Sequence, residues 1–202
     1  MEKNIDIIKV ITHADGGEEY AYNATKYPSN EYCVGLRGYG VDCNDSATAK
    51  EQFESLAKYH GNNGKNQFIH FMMSFLTETA PDAETSMEII DQVLEPLKEE
   101  HQILIGNHKK HTEKSDYHGH AFVGTTNLET GKMLHSTNKL NYAMAQRMAD
   151  VTRKPVQLVI EKKKKTPDSD SSEVQTDTSG NGNNNKNKDF KRVFYPHKDS
   201  ND

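Results

Sequence analysis

The 202-residue sequence predicts an α+β fold, in which an antiparallel sheet of about five strands is covered by helices mainly on one face. Two observations lead to this class. Apolar segments with strand and helix periodicity alternate along the chain, and two apolar strands follow one another directly at 103–106 and 118–126. The run at 67–75 is apolar on both faces, which is typical of a strand in the middle of a sheet.

The elements can be justified in order. Residues 5–11 are β-branched and alternate in polarity, which predicts a strand, and a short helix at 18–26 must end before Pro28. The other predicted strands are 32–37, 67–75, 103–106, 118–126 and 155–160, with a turn at 127–131 leading back into 132–135. The other predicted helices begin at caps near 46 and 82 and at 138, and end near 60, 100 and 151.

Composition divides the chain into two parts. Residues 1–161 contain nearly all the apolar segments and are predicted to form the folded domain, whereas residues 162–202 form a polar tail that we expect to be disordered. In that tail the cluster at 190–196 is interpreted either as a docking motif or as a plain chain end. Only two cysteines are present, Cys33 and Cys43, and no long apolar run suggests a membrane segment, so a cytoplasmic protein with reduced thiols is expected.

Charge is unevenly distributed along the sequence. Residues 1–100 carry 8 Lys and Arg against 18 Asp and Glu, whereas residues 101–165 carry 12 against 5. A positive region within a folded domain favours a polyanionic partner, of which nucleic acid is the most common.

Histidines are concentrated in the same basic region. His118 and His120 occupy alternate positions of a predicted strand, so both imidazoles point to one face. A third imidazole can come from the preceding loop, where both His108 and His111 are candidates. Imidazole nitrogens suit divalent transition metals, and the sequence therefore predicts a metal site. His70, on the neighbouring central strand, is expected either to orient a ligand and accept a proton or to be a buried structural histidine.

Several segments share a pattern and an order with a known family. They are Tyr20-Ala-Tyr-Asn-Ala-Thr-Lys26, the strand containing His70-Phe-Met-Met-Ser-Phe75, His111-x6-His118-x-His120, and Leu134-His-Ser-Thr-Asn138 before the last helix. Over residues 18–160 the chain resembles MobP-like relaxases, the mobilisation nucleases of the HUH endonuclease superfamily. The resemblance implies the fold of those relaxases.

The resemblance also implies a reaction and its residues. Tyr20 would be the nucleophile, and His111, His118 and His120 would hold a divalent ion, Mn or Mg. The tyrosine would attack single-stranded DNA at the origin of transfer of a plasmid or mobile element, leaving a 5′-phosphotyrosyl enzyme that can rejoin the strand and thereby initiate conjugative mobilisation. Accessory relaxosome proteins and a coupling protein are the further partners that the family implies.

Three alternatives remain open at the level of sequence. Tyr22 or Tyr27 could replace Tyr20 as the nucleophile, because the residues after Asn23 depart from the family pattern. A rolling-circle replication initiator would use the same metal ligands with a later tyrosine, for which Tyr142 is the candidate. A catalytically degenerate DNA-binding relative would retain the fold without the chemistry, as the acidic first half of the chain suggests.

Overall fold

A computed structural model describes residues 5–12, 18–109, 117–161 and 189–198 of the chain. Seven strands form one sheet, and four α-helices pack against it. The strands are β1 (Asp6–Thr12), β2 (Cys33–Tyr39), β3 (Phe68–Ser74), β4 (His101–Lys109), β5 (Tyr117–Asn127), β6 (Val156–Ile160) and β7 (Phe190–Phe194). The helices are α1 (Glu18–Lys26), α2 (Ser46–Tyr59), α3 (Ala83–Leu94) and α4 (Asn138–Thr152).

The sheet has the strand order β2-β4-β5-β3-β1-β6-β7. All neighbouring strands are antiparallel except β1 and β6, which run parallel. The fourth strand in this order is β3, whose burial fits the prediction from its two-sided apolar sequence.

One face of the sheet carries the larger hydrophobic core, which lies under α3 and α4. Strand residues such as Phe71, Ile105 and Val123 pack there with Ile90 of α3 and Met148 of α4. Both helices begin at the caps that their sequences supply. Side-chain oxygens of Asp82 and Thr137 accept hydrogen bonds from backbone N–H groups of the first helical turn, at 2.7 and 3.2 Å.

The opposite face carries a smaller cluster under α1 and α2. It is built from alanines of the two helices, the ring of Phe53, and strand residues Phe68, Leu104 and Phe122. Phe53 and Phe68 meet edge to face with ring centroids 4.8 Å apart. This apolar cluster covers only part of its face, and the histidines lie on the same face of β3, β4 and β5.

The predicted α+β class is confirmed, and the structure extends it in two respects. The sheet has seven strands rather than about five, and helices cover both of its faces, although the larger core lies on one. The chain turns back at 127–131 as predicted, and the segment at 132–135 contributes a single bridge, Met133 to Thr126.

The prediction of a disordered tail from 162 onward is wrong for residues 190–194. These residues form β7, which pairs with all five residues of β6. Apolar contacts explain the docking, because Phe194 is 9% exposed and Phe190 stacks on Tyr142 with ring centroids 6.1 Å apart. The rest of the predicted tail, 162–188 and 199–202, lies outside the described residues. Within the described ranges, no helix has the length and apolarity needed to cross a membrane.

Candidate metal centre

Three histidines converge at the ends of β4 and β5. His108 and His118 are paired across the two strands, and His120 lies two residues further along β5 on the same face. Their ring centroids are 4.9 to 5.5 Å apart, and each ring offers one nitrogen such that the three nitrogens lie within 4.8 Å of one another. We call His108, His118 and His120 the histidine cluster.

The packing of the opposite face determines which residue separates the two histidines of β5. Gly119 points away from the cluster toward α3, where an added Cβ would overlap the side chain of Ile90. A larger residue at this position would therefore push β5 away from the larger core. His-Gly-His thus meets two requirements at once, two imidazoles on one face and close helix packing on the other.

His120 is held by a fourth histidine. Its Nδ1 lies 2.9 Å from Nε2 of His70, whose ring stacks on Phe122 at a centroid distance of 4.2 Å and an angle of 17°. Nε2 of His120 is buried and has no hydrogen-bond partner among the described residues. A buried polar atom without a partner is costly, so this nitrogen fits a metal ion as its missing partner.

His108 is held by the backbone of Pro28. Its Nε2 lies 2.9 Å from the Pro28 carbonyl oxygen. Because a carbonyl can only accept a hydrogen bond, Nε2 carries the proton and Nδ1 keeps the lone pair that could bind a metal. Pro28 reaches this position because Gly106 has no side chain, since a Cβ there would overlap the Pro28 backbone.

Two imidazoles of the cluster, those of His108 and His120, are neutral near neutral pH. Burial is the main cause that lowers the pKa of His120 to about 2, and the neighbouring imidazoles of His70, His118 and His108 lower it further. Burial also lowers the pKa of His108, against a smaller opposing effect of the Pro28 carbonyl. Neutral imidazoles are the form that binds metals, and they leave the positive charge of a bound ion undiminished.

The three candidate tyrosines differ in position. The ring of Tyr27 lies against the cluster, 4.8 Å from His120 and 5.4 Å from His108 between centroids. Tyr22 is 47% exposed on α1, with the Nζ of Lys26 at 5.6 Å from its ring centroid. The backbone of Tyr20 belongs to α1, and its side chain lies outside what the structure describes.

The remaining candidates from the sequence are His111 and Tyr142. His111 lies in the segment 110–116, outside the described residues, whereas its competitor His108 joins His118 and His120. Tyr142, the candidate for an initiator, packs under β7 instead of beside the cluster, with Phe194 at 5.6 Å and Arg192 at 4.9 Å from its ring.

The sequence predicted neither the contact of the Tyr27 ring with the histidine cluster nor that of the Pro28 carbonyl with His108. The two-residue period of a strand does indicate the direction of the His108 side chain, because Leu104, Gly106 and His108 share a face. No comparable local signal exists for Pro28, whose contact with β4 joins residues about eighty positions apart in the sequence.

Comparisons with known proteins were made on sequence and on fold. The family model described as relaxase, MobA/VirD2-like, nuclease domain, matches residues 20–155. No curated protein matches the sequence. A solved structure described as "Molecular Basis of Vancomycin Resistance Transfer in Staphylococcus aureus" superposes with a TM-score of 0.52 at 12% identity, covering 74% of this chain and 91% of that chain. At that identity, the similarity shows a common fold.

Proposed function

Because the chain belongs to the relaxase family, in its MobA/VirD2-like nuclease-domain group, we propose that it nicks and rejoins single-stranded DNA at the origin of transfer of a plasmid or mobile element. The observation that carries this proposal is the convergence of His108, His118 and His120, with a buried Nε2 of His120 that has no hydrogen-bond partner in the part of the chain that the structure describes. A basic region that includes β4, β5 and α4 is suited to a DNA strand.

The histidine cluster is the proposed holder of a divalent ion, Mn or Mg. When bound, the ion supplies positive charge for the non-bridging oxygens of the scissile phosphate. His70 orients His120 through the 2.9 Å contact, so that Nε2 of His120 faces the cluster with its lone pair. His111, the third ligand in the family pattern, is kept as the alternative to His108.

Tyr20 is the proposed nucleophile, with Tyr22 and Tyr27 as alternatives. Its hydroxyl oxygen would form a bond to phosphorus while the bond from phosphorus to the 3′ oxygen breaks. The products are a 5′-phosphotyrosyl enzyme and a free 3′-OH, and reversal rejoins the strand. A phenol has a pKa of about 10, so the hydroxyl must lose its proton during attack, and positive charge at the cluster favours that loss.

The setting proposed is the cytoplasm, where Cys33 and Cys43 remain free thiols. The proposed nicking domain is 1–161, and β7 completes its sheet. Relaxosome components and a coupling protein are the proposed partners.

The central test is covalent capture of DNA. The full chain is incubated with labelled single-stranded oligonucleotides from its own genetic element and with Mn or Mg, and adducts that resist denaturation are resolved by electrophoresis. We expect an adduct with the natural protein and with Tyr142→Phe, and none with Tyr20→Phe. Loss in Tyr142→Phe alone would instead support a replication initiator. DNA binding without any adduct would identify a non-catalytic relative.

A second test examines the metal ligands separately. Mn binding is measured by calorimetry for His118→Ala, His120→Ala, His108→Ala and His111→Ala, with the exposed His135→Ala as the matched control. We expect the affinity to fall at least about tenfold on loss of any true ligand and to stay unchanged in the control. Unchanged binding in both β5 variants would exclude the histidine cluster as the metal site.

A further inference from the structure

Exposed aromatic side chains are concentrated in the segment of the chain that contains Tyr27. Of the seven large hydrophobic side chains that are exposed among the described residues, four lie between Tyr22 and Val34. Three of them are tyrosines spaced five residues apart, Tyr22, Tyr27 and Tyr32, with exposed fractions of 44 to 47%. Clustered exposed apolar groups mark a binding surface more often than a chance arrangement.

Tyr27 joins this surface to the histidine cluster. Its ring contacts His120 and His108 and yet remains 44% exposed. The 3-10 turn Tyr27–Ser29 is fixed over β4 by the close approach of Pro28 to Gly106, so the ring is held by backbone packing. A rigid aromatic ring that is open on part of its surface is suited to stacking on a planar ligand.

Positive charge borders the same surface. The Nζ of Lys26 lies over the ring of Tyr22, 5.6 Å from its centroid. Glu31 is the one acidic residue of the segment 22–34. Aromatic rings interspersed with lysines are the combination that binds unpaired nucleobases and their phosphates together.

We propose that Tyr27, flanked by Tyr22 and Tyr32, forms a stacking platform that holds an unpaired base of single-stranded DNA beside the histidine cluster. This inference rests on the proposed function and adds to it the position of the bound base. Tyr27 acts through its ring and not through its hydroxyl, and is therefore a positioning residue. Lys26 contacts a phosphate next to the stacked base.

Binding of a fluorescein-labelled dT20 strand tests the platform, because base stacking tolerates any sequence. Anisotropy is recorded with the full chain in the Tyr20→Phe background, with Mn and with chelator. We expect Tyr27→Leu to weaken binding about tenfold, which is the scale of one base–aromatic stack. Tyr27→Phe keeps the ring and should recover most of that loss. Tyr59→Leu, which removes an 83% exposed tyrosine on α2, is the matched control and should bind as the parent protein does.

A spectroscopic readout identifies the stacked position. A strand with 2-aminopurine scanned along the sequence should show one position at which fluorescence is quenched by the parent protein and by Tyr27→Phe, but not by Tyr27→Leu. An abasic site at that position should weaken binding to the parent protein and leave binding to Tyr27→Leu unchanged.

The outcomes separate this inference from the proposed function. Binding of dT20 that is unaffected by Tyr27→Leu would overturn the platform, whether or not the covalent adduct forms. An adduct lost in Tyr27→Phe and retained in Tyr20→Phe would make Tyr27 the nucleophile and would also overturn it. Binding that depends on the Tyr27 ring without any adduct would support the platform and contradict the nuclease proposal.

Discussion

The two faces of β5 serve different purposes. Gly119, Ala121 and Val123 face the larger core under α3 and α4, whereas His120 and Phe122 face the other side. Gly119, Ala121 and Val123 have no polar side-chain atoms, whereas the second face carries imidazoles in place of part of its apolar surface. Burial stabilises by about 25 cal/mol per Å² of apolar surface. The face with the histidines buries less apolar surface, and the larger core on the opposite face compensates for that loss of stability. Within this one strand, residues that stabilise the fold therefore alternate with residues that can bind a metal.

The largest effect is expected from the face of the larger core. Phe71 is fully buried on β3 and packs in that core. We expect Phe71→Ala to lower the free energy of unfolding by about 3–5 kcal/mol, measured by urea denaturation, while the folded fraction keeps its Mn affinity. A simultaneous loss of Mn affinity would mean that the two faces are not independent.

The second prediction concerns acid and the face of the histidine cluster. An unfolded histidine binds a proton below about pH 6.5, whereas His120 stays neutral in the folded chain down to about pH 2. The unfolded state therefore takes up more protons between these values, and stability is lost as pH falls from 6.5. At pH 5, His120 alone should cost the metal-free protein about 2 kcal/mol relative to pH 7.

Chemical denaturation with chelator at both pH values measures this loss. His120→Gln should reduce the difference, and His135→Gln at an exposed position should leave it unchanged. Burial also lowers the pKa values of His101 and His108, so part of the acid sensitivity should persist in His120→Gln. Equal sensitivity in the His120→Gln variant and the natural protein would contradict the assignment.

Two glycines provide a matched comparison of the faces. Gly106→Ala places a methyl group against the backbone of Pro28, and Gly119→Ala places one against the flexible side chain of Ile90. We expect Gly106→Ala to destabilise by about 2–3 kcal/mol and Gly119→Ala by about 1 kcal/mol, because a side chain yields more easily than backbone. Only Gly106→Ala should also weaken Mn binding in calorimetry, through loss of the hydrogen bond from His108 to Pro28. Equal Mn affinities in the two variants would show that this hydrogen bond does not position His108.

The smallest effect is expected at the far edge of the sheet. Asp150 accepts a hydrogen bond from the backbone N–H of His197 at 2.7 Å and lies 2.9 Å from its ring nitrogen, at an exposed position. Exposed ion pairs contribute little, so Asp150→Asn should change the unfolding free energy by no more than about 0.5 kcal/mol. Neither Mn binding nor adduct formation should respond, and a response of either would reveal coupling across the sheet.

Local patterns predicted much of this molecule. The β5 pair His118 and His120 followed from alternation, the start of α2 followed from its cap, and α4 followed from its apolar spacing. The choice between His108 and His111 depends on where β4 ends, and a hydrophobic pattern sets that end only within a few residues.

Features of the fold and the site that depend on long-range contacts could not be predicted from the sequence. β7 is five residues long and pairs with β6 across 29 intervening residues of mostly polar sequence, so no local pattern could indicate its partner. The position of Tyr27 depends on the fit of Pro28 over Gly106, and only the folded chain brings these two residues together.

The pairing of β6 with β7 also offers an opportunity for engineering. Ile160 and Phe190 are partners in the ladder, so the chain leaves and re-enters the sheet at neighbouring points. Lengthening a connection between two fixed ends costs little, because each doubling of its length adds only about 0.6 kcal/mol in closure entropy. This connection is therefore the natural place to insert a fluorescent reporter or an affinity tag. In the sheet order, β3 and β1 lie between the strands of the histidine cluster and the two strands that this connection joins, so a labelled protein should keep its metal site.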